Sequence, residues 1–240
     1  MFQVSLAGIG VEIDNRYGHV EEQCRDYRHS GAAPDFRVKV ATSEVEAYRV
    51  ACGRDMTAGE AESALLYRKI CERLPDYDAF VFHAAVVRLN GRAYAFSARR
   101  GVGKTTHAVL WQSVFPKMAE ILNGDKPILR MQEGRFWAFG TPWCGKEGNQ
   151  INTGSPVSAI CFLEQAAQNR IEVCPTADTV ANMLDATIYS EDQERRDRLA
   201  ALIGRAVRVM PAYRLYCRPD EEAVRLAFHA LSSAQSGVVQ

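Results

Sequence analysis

No stretch of the 240-residue sequence approaches the ~20 consecutive apolar residues needed to cross a bilayer as a helix. The N-terminus, Met1-Phe-Gln-Val-Ser-Leu6, lacks the basic-then-apolar layout of a signal peptide, so the expected location is the cytoplasm. There is no C-x-x-C pair: the seven cysteines (Cys24, Cys52, Cys71, Cys144, Cys161, Cys174 and Cys217) are scattered and odd in number, which argues against a zinc site or a disulfide framework. Reduced, packed thiols are expected. Net charge is also missing. Lys+Arg and Asp+Glu both number 29, so no overall field draws the molecule to nucleic acid or an acidic membrane, and neither is expected as a partner. No internal repeat is visible.

What remains is an ordinary globular composition, 47% hydrophobic and 24% charged, long enough for one domain with a substantial appendage. Residues 1–75 read as a β-rich N-terminal region ending in a helix. Apolar stretches at Phe2–Ile13, Phe36–Ala41 and Val45–Ala51 are followed by Thr57-Ala-Gly-Glu60, in which Thr57 caps a helix and Glu60 reaches back to it. Residues 76–232 read as a nucleotide-binding domain, and 233–240 as a flexible tail. In the second region Ala79–Leu89 is strand-like, Asn90-Gly91 is a two-residue type I′ turn, and Arg92–Ser97 is the returning strand. A helix over Thr105–Phe115 stops at Pro116. Pro127–Met131 and Arg135–Phe139 flank Glu133-Gly134 as another hairpin. The Gly/Pro/Asn-rich stretch Gly140–Pro156 precedes a strand at Val157–Leu163 and is long for a loop without a task. Further strands are expected at Ile171–Cys174 and Tyr213–Cys217. Helices are expected over Thr179–Val207, broken near Ser190, and from Asp220 to about Ser232.

Between the second hairpin arm and the helix lies Ala98-Arg99-Arg100-Gly101-Val102-Gly103-Lys104-Thr105-Thr106. Its end satisfies the phosphate-loop pattern G-x-x-x-x-G-K-[ST], in which backbone N–H groups surround the phosphates, the lysine neutralises them and the hydroxyl ligates magnesium. Ala98 stands where the pattern has its first glycine. Strand in and helix out supply the context the mechanism requires. The expected ligands are ATP and Mg2+, with Arg99 and Arg100 either adding positive charge or remaining solvated.

The segment from about Phe80 to Asp125 resembles the HPr serine kinase/phosphorylase family and its relatives of the phosphoenolpyruvate-carboxykinase-like fold. The likeness rests on Val81-Phe-His83-Ala-Ala-Val86 before the loop, on Gly101-Val-Gly-Lys-Thr105 within it, and on Leu122-Asn-Gly-Asp125 after it. The family carries two adjacent aspartates at that last place; here Gly124 takes the position of one. The resemblance implies an α/β fold with a mixed, largely antiparallel sheet bearing a P-loop. It also implies a kinase that transfers the γ-phosphoryl group of ATP to a hydroxyl, a serine of a protein or peptide, with free serine or another metabolite as a variant. Thr105 and Asp125 would hold the metal, and Asp125, His83 and Lys104 would be the catalytic residues, assisted by Asn123 and Lys126. A nucleotide-binding sensor without turnover is the rival reading, suggested by Gly124. The acceptor, the choice among ATP, GTP and pyrophosphate, and homo-oligomer formation are left open by the sequence.

Three other features compete for roles. The loop Thr141–Asn149, with Trp143, Lys146 and Glu147, either closes over the γ-phosphate or holds the acceptor, or else Trp143 is a core anchor and Lys146 a solvated charge. His107 reads as a packing or surface residue. Glu194-Arg-Arg-Asp-Arg198 reads as a solvent-facing ion-pair surface.

Overall fold

The computed structural model describes residues 1–53 and 55–233. The first 75 residues open with a hairpin, β1 (Phe2–Leu6) and β2 (Ile9–Asp14), turning at Ala7-Gly8, whose φ values of 54° and 77° suit a two-residue turn. Strand β3 (Phe36–Lys39) joins β2 in parallel, completing a three-stranded sheet. Three helices accompany it: α1 (Gly18–Gln23), α2 (Thr42–Cys52) and α3 (Ala58–Arg73). This region is therefore not β-rich. The stretch Val45–Ala51, expected as a strand, is helical, and it buries Val45 while leaving Val50 in solvent. The Thr57 cap forms as expected: Glu60 N–H donates to Thr57 Oγ1 at 3.2 Å, and Thr57 N–H donates to the Glu60 carboxylate at 2.8 Å.

The rest of the chain builds a mixed α/β structure around a curled nine-stranded sheet. Its strands are β4 (Ala79–Val81), β5 (Ala84–Leu89), β6 (Arg92–Ser97), β7 (Ala119–Asn123), β8 (Ile128–Gln132), β9 (Arg135–Phe139), β10 (Gly154–Gln165), β11 (Arg170–Val173) and β12 (Ala212–Cys217). Helix α4 (Lys104–Val114) follows β6; α5 (Thr176–Asp185), α6 (Gln193–Val209) and α7 (Glu221–Ser233) come later. The order is β4-β8-β9-β10-β6-β5-β7, with β12 on β10 and β11 on β12. Pairing is antiparallel except where β10 meets β6 and β12.

The 12-residue strand β10 makes the curl. Its first residues, Gly154–Pro156, pair with β9, and after an irregularity at Val157 its later residues pair with β6 and β12. The last residues of the stretch expected as a loop, Gly140–Pro156, thus belong to a strand. Alternation along β5 and β6 sends Ala84, Val86, Ala93 and Ala95 to one face, against Met183 of α5 and Leu199, Leu202 and Ile203 of α6. Ala85, Val87, Tyr94 and Phe96 face the other way, against Trp111 of α4 and Val224, Ala227 and Leu231 of α7. A third cluster joins the N-terminal sheet and α3 to Ala79, Val81, Ile128 and Trp143.

Two boundaries differ from expectation. Ala79–Leu89 is not one strand: Phe82 N–H donates to the Pro127 carbonyl and His83 N–H to the Ala186 carbonyl, which takes the chain out of the ladder between β4 and β5. The last helix reaches Ser233, so the segment expected as a tail is helical at its first residue, and the remainder lies outside the described residues. Among the described residues no helix is long and apolar enough to cross a membrane.

Candidate phosphate-binding and acidic site

Strand β5 runs antiparallel between β6 and β7, so the end of β6, the start of β5 and the end of β7 lie side by side. Ser97 stands opposite Ala84 and Asn123 opposite Val86. One end of these three strands therefore receives the loop leaving β6 at Ala98, His83 entering β5, and Asp125 just beyond β7. Two bonds fix the junction: Ser97 Oγ donates to the His83 carbonyl at 2.9 Å, and Ala84 N–H donates to the Asp125 carbonyl at 3.1 Å.

In the loop, Gly101 and Gly103 adopt φ of 85° and 113°, conformations open to glycine and strained for other residues. Ala98 is not in that region, so replacing the motif's first glycine introduces no positive-φ strain. Helix α4 starts at Lys104, with His107 N–H bonded to the Gly103 carbonyl at 2.9 Å. The N–H groups of its first turn lack intrahelical partners and carry the positive end of the helix dipole. Lys104 is buried, and its Nζ donates to the Ala98 carbonyl at 3.2 Å. Burial lowers its pKa, which the Asp125 charge partly offsets. Thr105 is half-buried, whereas Thr106, Arg99, Arg100 and Gly101 are exposed and Val102 is half-buried.

Asp125 sits in a turn shaped by Asn123, whose buried Oδ1 accepts from the N–H groups of Asp125 (2.9 Å) and Lys126 (2.7 Å). The turn joins two strands, β7 and β8. His83 Nε2 lies 2.9 Å from Asp125 Oδ1, and Lys126 Nζ donates to Asp125 Oδ2 at 2.8 Å. Burial pushes the Asp125 carboxyl up, but hydrogen bonds from His83 and Lys126 and their charges outweigh it, holding the carboxyl below its ordinary range. The site therefore carries an ionised carboxylate at neutral pH. Lys126 Nζ also stands 5.6 Å from the centre of the Tyr67 ring on α3. Tyr67 escaped the sequence reading because nothing local ties α3 to residue 126.

Gly124 has a steric reason. A Cβ there would meet the Cys144 carbonyl oxygen at 2.8 Å, and Gly124 N–H donates to the Asn149 carbonyl at 2.9 Å. With the 140–153 loop in place there is no room for an aspartate side chain.

That loop is anchored to the first 75 residues. Trp143 is buried, its Nε1–H donates to Ser63 Oγ at 3.1 Å, and its ring lies 5.1 Å from that of Tyr67. Gln23 Nε2 donates to the Pro142 carbonyl at 3.2 Å, and Asn152 Nδ2 to the Asp26 carbonyl at 2.7 Å. Lys146 and Glu147 are exposed beyond this anchor. A Cβ on Gly145 would lie 3.4 Å from Asp125 Cβ and 3.5 Å from Glu147 Oε2, so the loop's tip borders the carboxylate. His107 is buried; its Nε2 accepts from Trp111 Nε1–H at 3.1 Å. The arginine run forms ion pairs, Arg195 with Asp76 at 3.0 Å and Arg198 with Glu194 at 2.6 Å.

No family model matches the chain, and no curated protein does. Among solved structures it is similar to the HPr(Ser) kinase/phosphatase from Coxiella burnetii, at 10% identity over 64% of this chain and 98% of that one, with a TM-score of 0.38. That overlap is too loose to transfer residue roles.

Proposed function

We propose that this protein is an ATP-dependent kinase that transfers the γ-phosphoryl group to a hydroxyl, a serine of a protein or peptide. The observation that carries the reading is the convergence, at one end of strands β5, β6 and β7, of a glycine loop with a buried lysine and an ionised carboxylate bonded to a histidine. Phosphoryl transfer asks a protein mainly for positioning and charge neutralisation. Lys104 and the N–H groups from Gly101 to Thr106 would hold the phosphates. The Thr105 hydroxyl and Asp125 are hard oxygen donors, two groups only, and no cluster of three His, Cys, Asp or Glu side chains forms among the described residues at this site or any other. Such a donor set fits Mg2+, which takes few protein ligands and fills its shell with phosphate and water oxygens. When bound, the ion would neutralise phosphate charge.

A carboxylate held so acidic is a weak base but a good hydrogen-bond acceptor. Asp125 would orient the acceptor hydroxyl and take its proton as the new oxygen–phosphorus bond forms and the bond from the γ-phosphorus to the β–γ bridging oxygen breaks, leaving ADP on the loop, with His83 bonded behind the carboxylate. Lys146 and Glu147, at the tip of the anchored loop, would meet the acceptor.

One observation favours the rival reading of a sensor without turnover: both Asp125 oxygens are already engaged, one by His83 and one by Lys126. Incubation with labelled ATP, Mg2+ and candidate proteins, peptides and free serine separates the two. Transfer to any of them supports the kinase and names the acceptor class; tight ATP binding with no transfer and no hydrolysis supports the sensor. Losing the lysine's charge-assisted bonds in Lys104→Ala should weaken ATP binding on the order of 100-fold. Unchanged affinity would overturn both readings.

A further inference from the structure

Lys126 is fixed at its backbone and free in its side chain. Its N–H donates to Asn123 Oδ1 at 2.7 Å and its carbonyl accepts from Thr141 Oγ1 at 2.7 Å, so the turn pins the residue beside Asp125. The side chain is 37% exposed, unlike that of Lys104, which is buried and folded back onto the Ala98 carbonyl. The ammonium has two partners, Asp125 Oδ2 at 2.8 Å and the face of Tyr67, whose ring centre is 5.6 Å away. A lysine head is a compact charge with three donors on a flexible four-carbon stem, so it can change anionic partner while the backbone stays still.

The oxygen it occupies is the one a divalent ion needs. Asp125 Oδ1 is engaged by His83 at 2.9 Å and Oδ2 by Lys126, and Thr105 is the one other protein donor in the reading above. An ammonium and a divalent ion drawn to one carboxylate oxygen repel each other at that separation. The phosphate-loop lysine lies within the same field: burial lowers the Lys104 pKa, the Asp125 charge raises it and the Lys126 charge lowers it again.

We propose that Lys126 is a catalytic residue that exchanges partners: it holds Asp125 in the empty site, yields Oδ2 to the divalent ion that arrives with the nucleotide, and then neutralises the γ-phosphoryl oxygens. The role rests on the nucleotide reading above. It divides the work between two lysines. Lys104, on the loop, serves the phosphates that stay with ADP, and Lys126 serves the group that is transferred. Tyr67 keeps its ring against the ammonium, and the γ-phosphoryl oxygens replace the carboxylate as its anion.

A lysine that reaches only the γ-phosphoryl group distinguishes a triphosphate from a diphosphate, and calorimetry on the full chain with Mg2+ reads that difference. The probes are ADP and the β,γ-imido analogue of ATP, which cannot transfer its γ-phosphoryl group. Lys126→Met keeps an unbranched stem on Tyr67 and removes the charge; it should weaken the imido analogue about tenfold or more and leave ADP within about twofold of the wild-type affinity. Lys126→Arg should restore the discrimination, and Lys126→Gln repeats the test should the methionine variant not fold. No loss for either nucleotide, or an equal loss for both, overturns the role and leaves the nucleotide reading standing. A wild-type protein that binds neither nucleotide overturns that reading itself. The exchange has its own measurement, the free Mn2+ signal in electron paramagnetic resonance without nucleotide. Lys126→Met should bind Mn2+ about tenfold more tightly than the wild-type protein, because Oδ2 is released, and equal affinity overturns the exchange.

Discussion

The glycine loop of residues 98–106 and the 140–153 loop both approach Asp125, but different forces hold them there. The first is set by neighbours in sequence: two glycines at positive φ, a helix starting at once, and a lysine folded back onto the Ala98 carbonyl. The second is set by residues far away in sequence: Ser63 is 80 positions from its partner, Gln23 119 and Asp26 126, with Tyr67 against Trp143 beside them. One loop is specified by local chemistry. The other borrows its shape from the first 75 residues, which thereby shape the surroundings of Asp125.

Three perturbations bear on this contrast. Trp143→Ala removes the buried anchor and should cost about 3–5 kcal/mol of stability in denaturant titrations. ATP affinity measured under folding conditions should hardly move; a parallel loss of affinity would show that the phosphate loop leans on the borrowed one after all. His107 examines the local loop from behind. Burial lowers its folded pKa from 6.5 to about 4, so the unfolded chain takes up a proton that the folded protein refuses. Stability should therefore fall as pH drops from 6.5 toward 4, by at most about 3 kcal/mol, and level off below. His107→Phe should flatten that slope; urea melts at pH 7 and pH 4.5 measure it. The smallest effect is expected at Gly124, where an added methyl presses on the Cys144 carbonyl. Gly124→Ala should cost about 1–3 kcal/mol, and Gly124→Asp should lower the melting temperature further without raising any transferase rate.

The same contrast explains what the sequence made legible. The hairpin turn at Asn90-Gly91 shows the positive φ values its residues favour (52° and 73°), as does Glu133-Gly134 (49° and 78°). The Thr57 cap, and the glycine turn and helix start at Gly101–Lys104, were readable for the same reason, since each is decided within a few residues. Val45–Ala51 misled because a valine at either end of a short run imitates a strand, while helix α2 leaves Val50 in solvent and gains its position by packing Val45 inward. The break at Phe82-His83 was invisible in an apolar run because carbonyls at Pro127 and Ala186 create it. Asp125 and His83 were singled out through the family resemblance; Lys126 on the face of Tyr67, and the steric need for Gly124, were not legible, because both depend on chain that arrives from elsewhere.

Strand β10 bonds to β9 near its start and to β6 and β12 further along. A strand shared in this way leaves no seam between the two parts of the sheet where one could melt and the other persist. Pulling β10 out removes the partner of β9 and of β6 in a single event. Cooperativity is thereby written into the hydrogen-bond ladder itself, so the glycine loop after β6 and the β8–β9 hairpin are expected to share one unfolding transition.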